Sequence, residues 1–170
     1  HFLLRRQRQM CIRDSHEEIK AYKVLDNNNK IVGIFLTDYF ARPSKQGGAW
    51  MTSYQDQSKN KGIKHPIVIN VCNFPKPTKD KPTLLSFEQA ITLFHEFGHG
   101  LHGLLSNVTY PSLSGTSVPR DYVEFPSQMM ENWIRSPKVL KEFALHYETG
   151  KKIPQDLSLI HISEPTRHTS

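Results

Sequence analysis

One stretch of this chain, Ser86 to Leu105, leaves little freedom in how it can fold. Phe87, Ala90, Ile91, Phe94, Leu101, Leu104 and Leu105 recur at helical spacing, so one stripe faces a core. Ser86 with Gln89 three residues on is a capping box: the hydroxyl accepts the N3 amide and the Gln side chain reaches back. Gly98, Gly100 and Gly103 oppose the helix, each by about 1 kcal/mol relative to Ala. Three glycines kept in one helix imply close packing against another backbone.

The residues before this helix read as strands. Ile19 to Leu25 alternates apolar and polar residues, and Ile31 to Phe40 is a second β-rich run. Asp26, Asn27, Asn28 and Asn29 between them form a turn, because Asn and Asp tolerate left-handed backbone, so a hairpin is expected. The loop from Arg42 to Gly48 is expected to be flexible and to end at Ala49, Trp50 and Met51. Pro66 to Cys72 reads as another strand, whose leading Pro suits an edge or first-residue position. After the helix, Tyr110 to Pro119 is a loop. A second helix is expected from near Asp121 through Trp133, with Pro126 forcing a start nearer Val123 or a kink. Pro137 opens a third helical stretch, Val139 to Tyr147, ended by Gly150.

Composition narrows the classes. A chain of 170 residues can bury a sizeable core without disulfides. Cys11 and Cys72 form no CxxC pair, which excludes a disulfide framework and a cysteine-ligated zinc module. The longest apolar run, Ile31 to Leu36, is far too short to cross a bilayer. The net charge of +6 is split evenly between residues 1–15 and 16–157, and is scattered in the latter. A nucleic-acid footprint would be clustered on one face or helix, so no nucleic-acid partner is expected. The two ends, residues 1–15 and 158–170, carry no sustained period. They resemble translated sequencing-adapter reads and are expected to be non-native. A basic targeting peptide is the alternative for the first of them.

Within the long helix lies His95-Glu96-Phe97-Gly98-His99, an HExxH motif. Residues four apart on a helix lie about 40° apart around the axis and about 6 Å along it. Two imidazoles so placed can converge on one zinc, with Zn–N bonds of about 2.0–2.1 Å. Glu96 sits beside the first ligand and can face a metal-bound water without ligating the metal. Chance supplies roughly 0.025 such matches in a chain of this composition.

A catalytic zinc takes three protein ligands and keeps a fourth position for water. A metzincin would need glycine at 102 and histidine at 105, where this chain has His102 and Leu105. His102 sits about 10 Å along the axis from His95, too far to share one metal, and is expected to pack or to support. The acidic candidates downstream are Asp121, Glu124 and Glu131, and periodicity cannot choose among them.

HEFGHGLHG, followed by PSLSGTSVPRDYVEFPSQMMENW, resembles the thimet oligopeptidase/neurolysin family of zinc metallopeptidases, and within it the peptidyl-dipeptidase branch. GGAWMTSYQDQS and PIVINVCNFPKP are similar to that branch too, and the resemblance spans residues 18–157. It implies a third ligand in the segment Tyr122 to Gln128, 25 residues after the second histidine, which is Glu124. It places the other two ligands on His95 and His99 and the catalytic base on Glu96, with one zinc per chain. Glu131, two turns beyond Glu124, is a candidate acceptor for one imidazole N–H, with Gln128 next; a solvated glutamate is the alternative.

The implied architecture is α+β and mostly helical: a zincin-like active-site helix with a small antiparallel sheet, part of a larger clam-shaped metallopeptidase. Residues 16–157 would be a partial catalytic domain. The strand Ile67 to Cys72 would be either an edge to which an extended peptide adds or an interior strand. Gly47 with Gly48, and Ser114 to Thr116, would be channel loops or plain turns. The implied activity is hydrolysis of short peptides with release of C-terminal dipeptides. Endopeptidase cleavage, or an inert metal-binding fragment, is the alternative. The expected setting is a cytoplasmic monomer with peptide substrates and no membrane partner.

Overall fold

The computed structural model describes residues 3–6, 16–78 and 82–154. The segments expected to be non-native lie outside the described residues, except for Leu3–Arg6. That short piece is a strand, β1, paired antiparallel with β2 (Lys20–Leu25) in the register Leu3↔Leu25. No strand period marks it in the sequence. Main-chain pairing along an open edge asks little of side chains, so an extended segment can fill it.

The expected hairpin is present. β2 pairs antiparallel with β3 (Ile31–Phe40), with Tyr22 opposite Phe35. Asp26 closes the turn by accepting the Asn28 and Lys30 amides at 2.8 Å each, and Asn29 takes a φ of 60°. β4 (Trp50–Gln55) and β5 (Ile67–Phe74) complete the sheet in the order β1-β2-β3-β5-β4.

One expectation is corrected here, and one open choice is decided. The sheet is mixed rather than antiparallel, because β5 inserts between β3 and β4, parallel to the first and antiparallel to the second. β5 is therefore an interior strand and not an edge. Its near-continuous apolar run explains the choice: Val68, Ile69, Val71 and Cys72 are all buried, which only a strand covered on both faces achieves. Pro66 costs no ladder bond, since it precedes the strand, and its carbonyl accepts the Ile34 amide at 2.9 Å. The edge on this side is β4, whose Thr52, Ser53, Tyr54 and Gln55 are exposed. That polar face hides the strand in the sequence.

The loop from Arg42 to Gly48, expected to be flexible, is tied down at Lys45. Its ammonium lies 2.7 Å from the Asp38 carbonyl and 3.0 Å from that of Phe40, and also meets the Cys72 carbonyl. Asn73 donates to the Gln46 and Gly48 carbonyls at 2.8 and 2.7 Å.

Helix α1 (Phe87–Leu104) starts at the expected capping box, with both reciprocal bonds formed at 3.2 and 3.0 Å. It lies on the sheet face carrying Val24, Phe35 and Val68, where Leu104 joins the core. Glycine lets the two come close: a Cβ on Gly103 would lie 2.9 Å from the Val68 side chain. The opposite sheet face holds a second cluster, Leu36, Ile69 and Val71, with Trp50 from β4 packed against it.

The second helix is kinked, one of the two outcomes expected of Pro126. α2 (Arg120–Val123) and α3 (Phe125–Arg135) meet at Glu124, and Pro126 sits in the first turn of α3. α4 (Pro137–Phe143) stops short of Tyr147. There Leu145 bridges to Lys152, and a turn bonded from the Gly150 amide to the His146 carbonyl at 2.8 Å replaces the helix. Among the described residues no helix is long and apolar enough to cross a membrane.

Candidate metal centre

The site forms where α3 is pressed against α1. A Cβ on Gly98 would lie 2.5 Å from the Ser127 Cα and 2.6 Å from the Pro126 carbonyl oxygen. Only glycine admits that approach, and it brings the α2–α3 junction opposite the HExxH turn. Glu124 sits at that junction and points its carboxylate at both histidines.

Three ligand-type atoms converge. His95 Nε2 and His99 Nε2 are 3.2 Å apart, and Glu124 Oε2 is 3.3 Å from the first and 3.2 Å from the second. A tetrahedral ion with bonds of about 2.0–2.1 Å holds its ligand atoms about 3.3–3.4 Å apart, so these atoms already form one face of such a tetrahedron. Among the described residues this trio is the one group with metal-site geometry. Asp121 is exposed in α2 and takes no part.

The imidazoles would suit such an ion. His95 Nδ1 lies 2.6 Å from Glu131 Oε1, which draws the ring proton to that nitrogen and leaves Nε2 as an acceptor. Glu131 thus serves the role weighed for it, rather than that of a solvated glutamate; Gln128 is exposed. Burial pushes the His99 imidazole below its usual pKa against the opposing pull of Glu124, favouring the neutral ring. His102 is not one of the converging trio; its ring packs edge-on against Tyr122 at 6.2 Å.

Glu96 is 6 % exposed and lies outside the trio. Burial raises its carboxyl pKa, His95 lowers it and Glu124 raises it further, with a net upward shift. A carboxylate shifted this way is a better proton acceptor than one in water. Cys72, buried on β5, is inert as a nucleophile: burial pushes its thiol up to about 12. Cys11 lies outside the described residues.

Sequence reasoning missed two polar features. Ser127 is fully buried, with its hydroxyl 2.8 Å from both the carbonyl oxygen and Oε2 of Glu124. Its spacing of three from a candidate carboxylate was the available signal. Asp38, Arg42 and Lys45 form an ion cluster in which the Asp38 and Lys45 side chains are buried and that of Arg42 is partly so, with Arg42 bidentate on Asp38 at 2.7 and 2.8 Å. Their spacing of four and three carried no signal in a segment that reads as strand followed by loop.

The chain has relatives. The chain is similar to "Dipeptidyl carboxypeptidase" of Escherichia coli (strain K12), 47% identical over 143 residues that cover 84% of this chain and 21% of that protein. "Oligopeptidase A" of the same organism is 42% identical over 145 residues, covering 84% and 21%. "Probable cytosolic oligopeptidase A" of Arabidopsis thaliana is 35% identical over 149 residues, again covering 84% and 21%. The chain thus spans about a fifth of the length of the curated relatives it matches. The profile of Peptidase family M3 matches residues 4–168, and on that match the chain belongs to Peptidase family M3.

Proposed function

We propose that this chain carries the zinc site of a metallopeptidase that hydrolyses short peptides and releases C-terminal dipeptides. The observation that carries the reading is the convergence of His95 Nε2, His99 Nε2 and Glu124 Oε2 at 3.2–3.3 Å, the spacing zinc would span. Two nitrogens and a carboxylate are a common catalytic zinc set, with the fourth position left for water. Zinc bound there would acidify its water and polarise the scissile carbonyl. Glu96, beside that position, would take the proton of the attacking water and pass it to the leaving amine. Glu131 holds His95 in the ligating tautomer. Dipeptide release is favoured over endopeptidase cleavage by the 47% identity to a protein named for that activity. We place the protein among zincin-like folds, as a cytoplasmic monomer; the relative named as a cytosolic oligopeptidase supports the location. We propose, from their lack of any sustained period, that residues 1–15 and 158–170 are non-native; the family match over residues 4–168 and the pairing of Leu3–Arg6 with β2 weigh against it.

Zinc binding tests the ligand set. One zinc per folded chain is expected, with sharp loss on His95→Ala, His99→Ala or Glu124→Ala. Glu131→Ala should weaken binding by about 10–100-fold, since it acts through His95. Asp121→Ala should leave binding unchanged. Competition titration against a chromogenic chelator ranks them. Asp121→Ala as the most damaging of the carboxylate variants would sink the assignment of Glu124.

A second reading, a metal-binding but inert chain, is favoured by the apolar surface left open. Trp133 is 58% and Phe143 72% exposed, and Tyr122, Phe125 and Met129 are each about half exposed. Expressed alone, the 170 residues are expected to turn over a blocked peptide far more slowly than a version extended to its relatives' length, because apolar surface left open favours aggregation over a working site. Equal turnover by the two would refute this expectation.

A further inference from the structure

We propose that Ser127 is a positioning residue for the Glu124 carboxylate, held in place by its contact with Gly98. The proposal deepens the reading of His95, His99 and Glu124 as a zinc site and rests on it.

Glu124 needs such a partner. Its side chain is 47% exposed and stands at a helix break, where a flexible carboxylate would sample many rotamers. Ser127 is its opposite, with no exposed surface. The Ser127 hydroxyl lies 2.8 Å from both the Glu124 carbonyl and Glu124 Oε2, but it has one proton to give. The carbonyl already accepts the Gln128 amide at 2.9 Å, the ordinary helical bond. A helical serine commonly bonds back to such a carbonyl. Here the charged oxygen is the stronger acceptor at equal distance, so the proton goes to Oε2. That is the same oxygen that stands 3.3 and 3.2 Å from the two imidazole nitrogens.

Gly98 makes the serine a fixed anchor. The Ser127 Cα occupies the space a Cβ at position 98 would need, one residue before His99. The backbone bearing the hydroxyl is therefore locked to the backbone bearing the histidines. Glu124, Ser127 and Glu131 follow at intervals of three and four along one face turned to α1. Glu131 orients His95, and Ser127 orients Glu124 in the same way.

The test is a zinc titration of the 170-residue chain and of its extended form, against a chromogenic chelator, with Ser127→Ala, Glu124→Ala and the double variant. Ser127→Ala is expected to weaken zinc by about 10–100-fold, with little change in the melting of the metal-free chain. The double variant should bind no more weakly than Glu124→Ala alone, because the serine acts through the glutamate. With cobalt in place of zinc, Ser127→Ala should alter the visible d–d absorption, which follows ligand geometry and not fold stability. Ser127→Cys, of similar size and a weaker donor, should fall between, and it carries the comparison if the alanine variant does not fold. Zinc affinity in Ser127→Ala within about twofold of the parent, beside lost zinc in Glu124→Ala, would overturn the proposal alone. So would additive losses in the double variant. Retained zinc in Glu124→Ala would overturn the ligand reading, and this proposal with it.

Discussion

Glu96→Gln in the extended enzyme is expected to retain zinc and lose peptide hydrolysis, by about 10²–10⁴-fold or more, the share a positioned base contributes. Glutamine keeps the shape of the side chain and cannot accept the proton. Glu96 makes no part of the converging trio, so metal content should stay at one zinc per chain. The metal-free fold supplies an independent check. Burial raises the Glu96 pKa, so its contribution to stability is full below the ordinary carboxyl value of 4.5 and is lost as pH rises through the raised value. At neutral pH the ionised side chain therefore costs stability, and Glu96→Gln should melt no lower than the parent. Metal analysis by atomic emission, turnover of a blocked peptide and thermal melting decide the matter together. Loss of zinc in this variant would make Glu96 a ligand and remove it as the base.

The sequence carried the site further than it carried the sheet, and the reason is local. HExxH is read within one helix, where a fixed spacing of four dictates a fixed geometry, so the approach of His95 to His99 needed nothing else. Glu124 lies on another element, and its choice over Asp121 and Glu131 came from the family resemblance. What brings it into place is the Gly98 contact with Ser127, a tertiary fact. The three glycines of α1 announced close packing but could not say against what. The hairpin was legible from alternation and its Asp-Asn turn. β4 was not, because an edge strand with a polar face looks like loop. The interior position of β5 was half legible: its apolar run allowed it, while Pro66 suggested an edge. Its place depends on the chain passing from β3 to β4 and back, which no local pattern records. The ion cluster at Asp38 was invisible for the same reason, since the Cys72 carbonyl that meets Lys45 arrives from β5.

That cluster sets the other large effect. Asp38→Asn is expected to destabilise the fold by about 3–5 kcal/mol, the usual result of removing one partner from a buried pair. The Asp38 side chain is 6% exposed and that of Lys45 4%, so the remaining ammonium would be left in the interior with carbonyl oxygens alone. Arg42 would lose a bidentate partner as well. Burial by itself would raise the Asp38 carboxyl, but the bonds from Arg42 and Lys45 outweigh it and hold the carboxyl below its ordinary value of 3.8. A lowered carboxyl contributes stability above its ordinary value and loses it as pH falls through the lowered one. The parent and Asp38→Asn should therefore differ most near neutrality and draw together in acid. The consequence reaches the sheet edge, because Lys45 fixes the turn that delivers Trp50 and β4 to Val71. Amide exchange in β4 should quicken in the variant before that in β2 or β3. Urea unfolding of both chains across the acid range, with exchange read strand by strand, measures this. A stability gap under about 1 kcal/mol at neutral pH, or one that does not narrow in acid, would show that the cluster is a surface ion pair in effect and leaves β4 to hold itself.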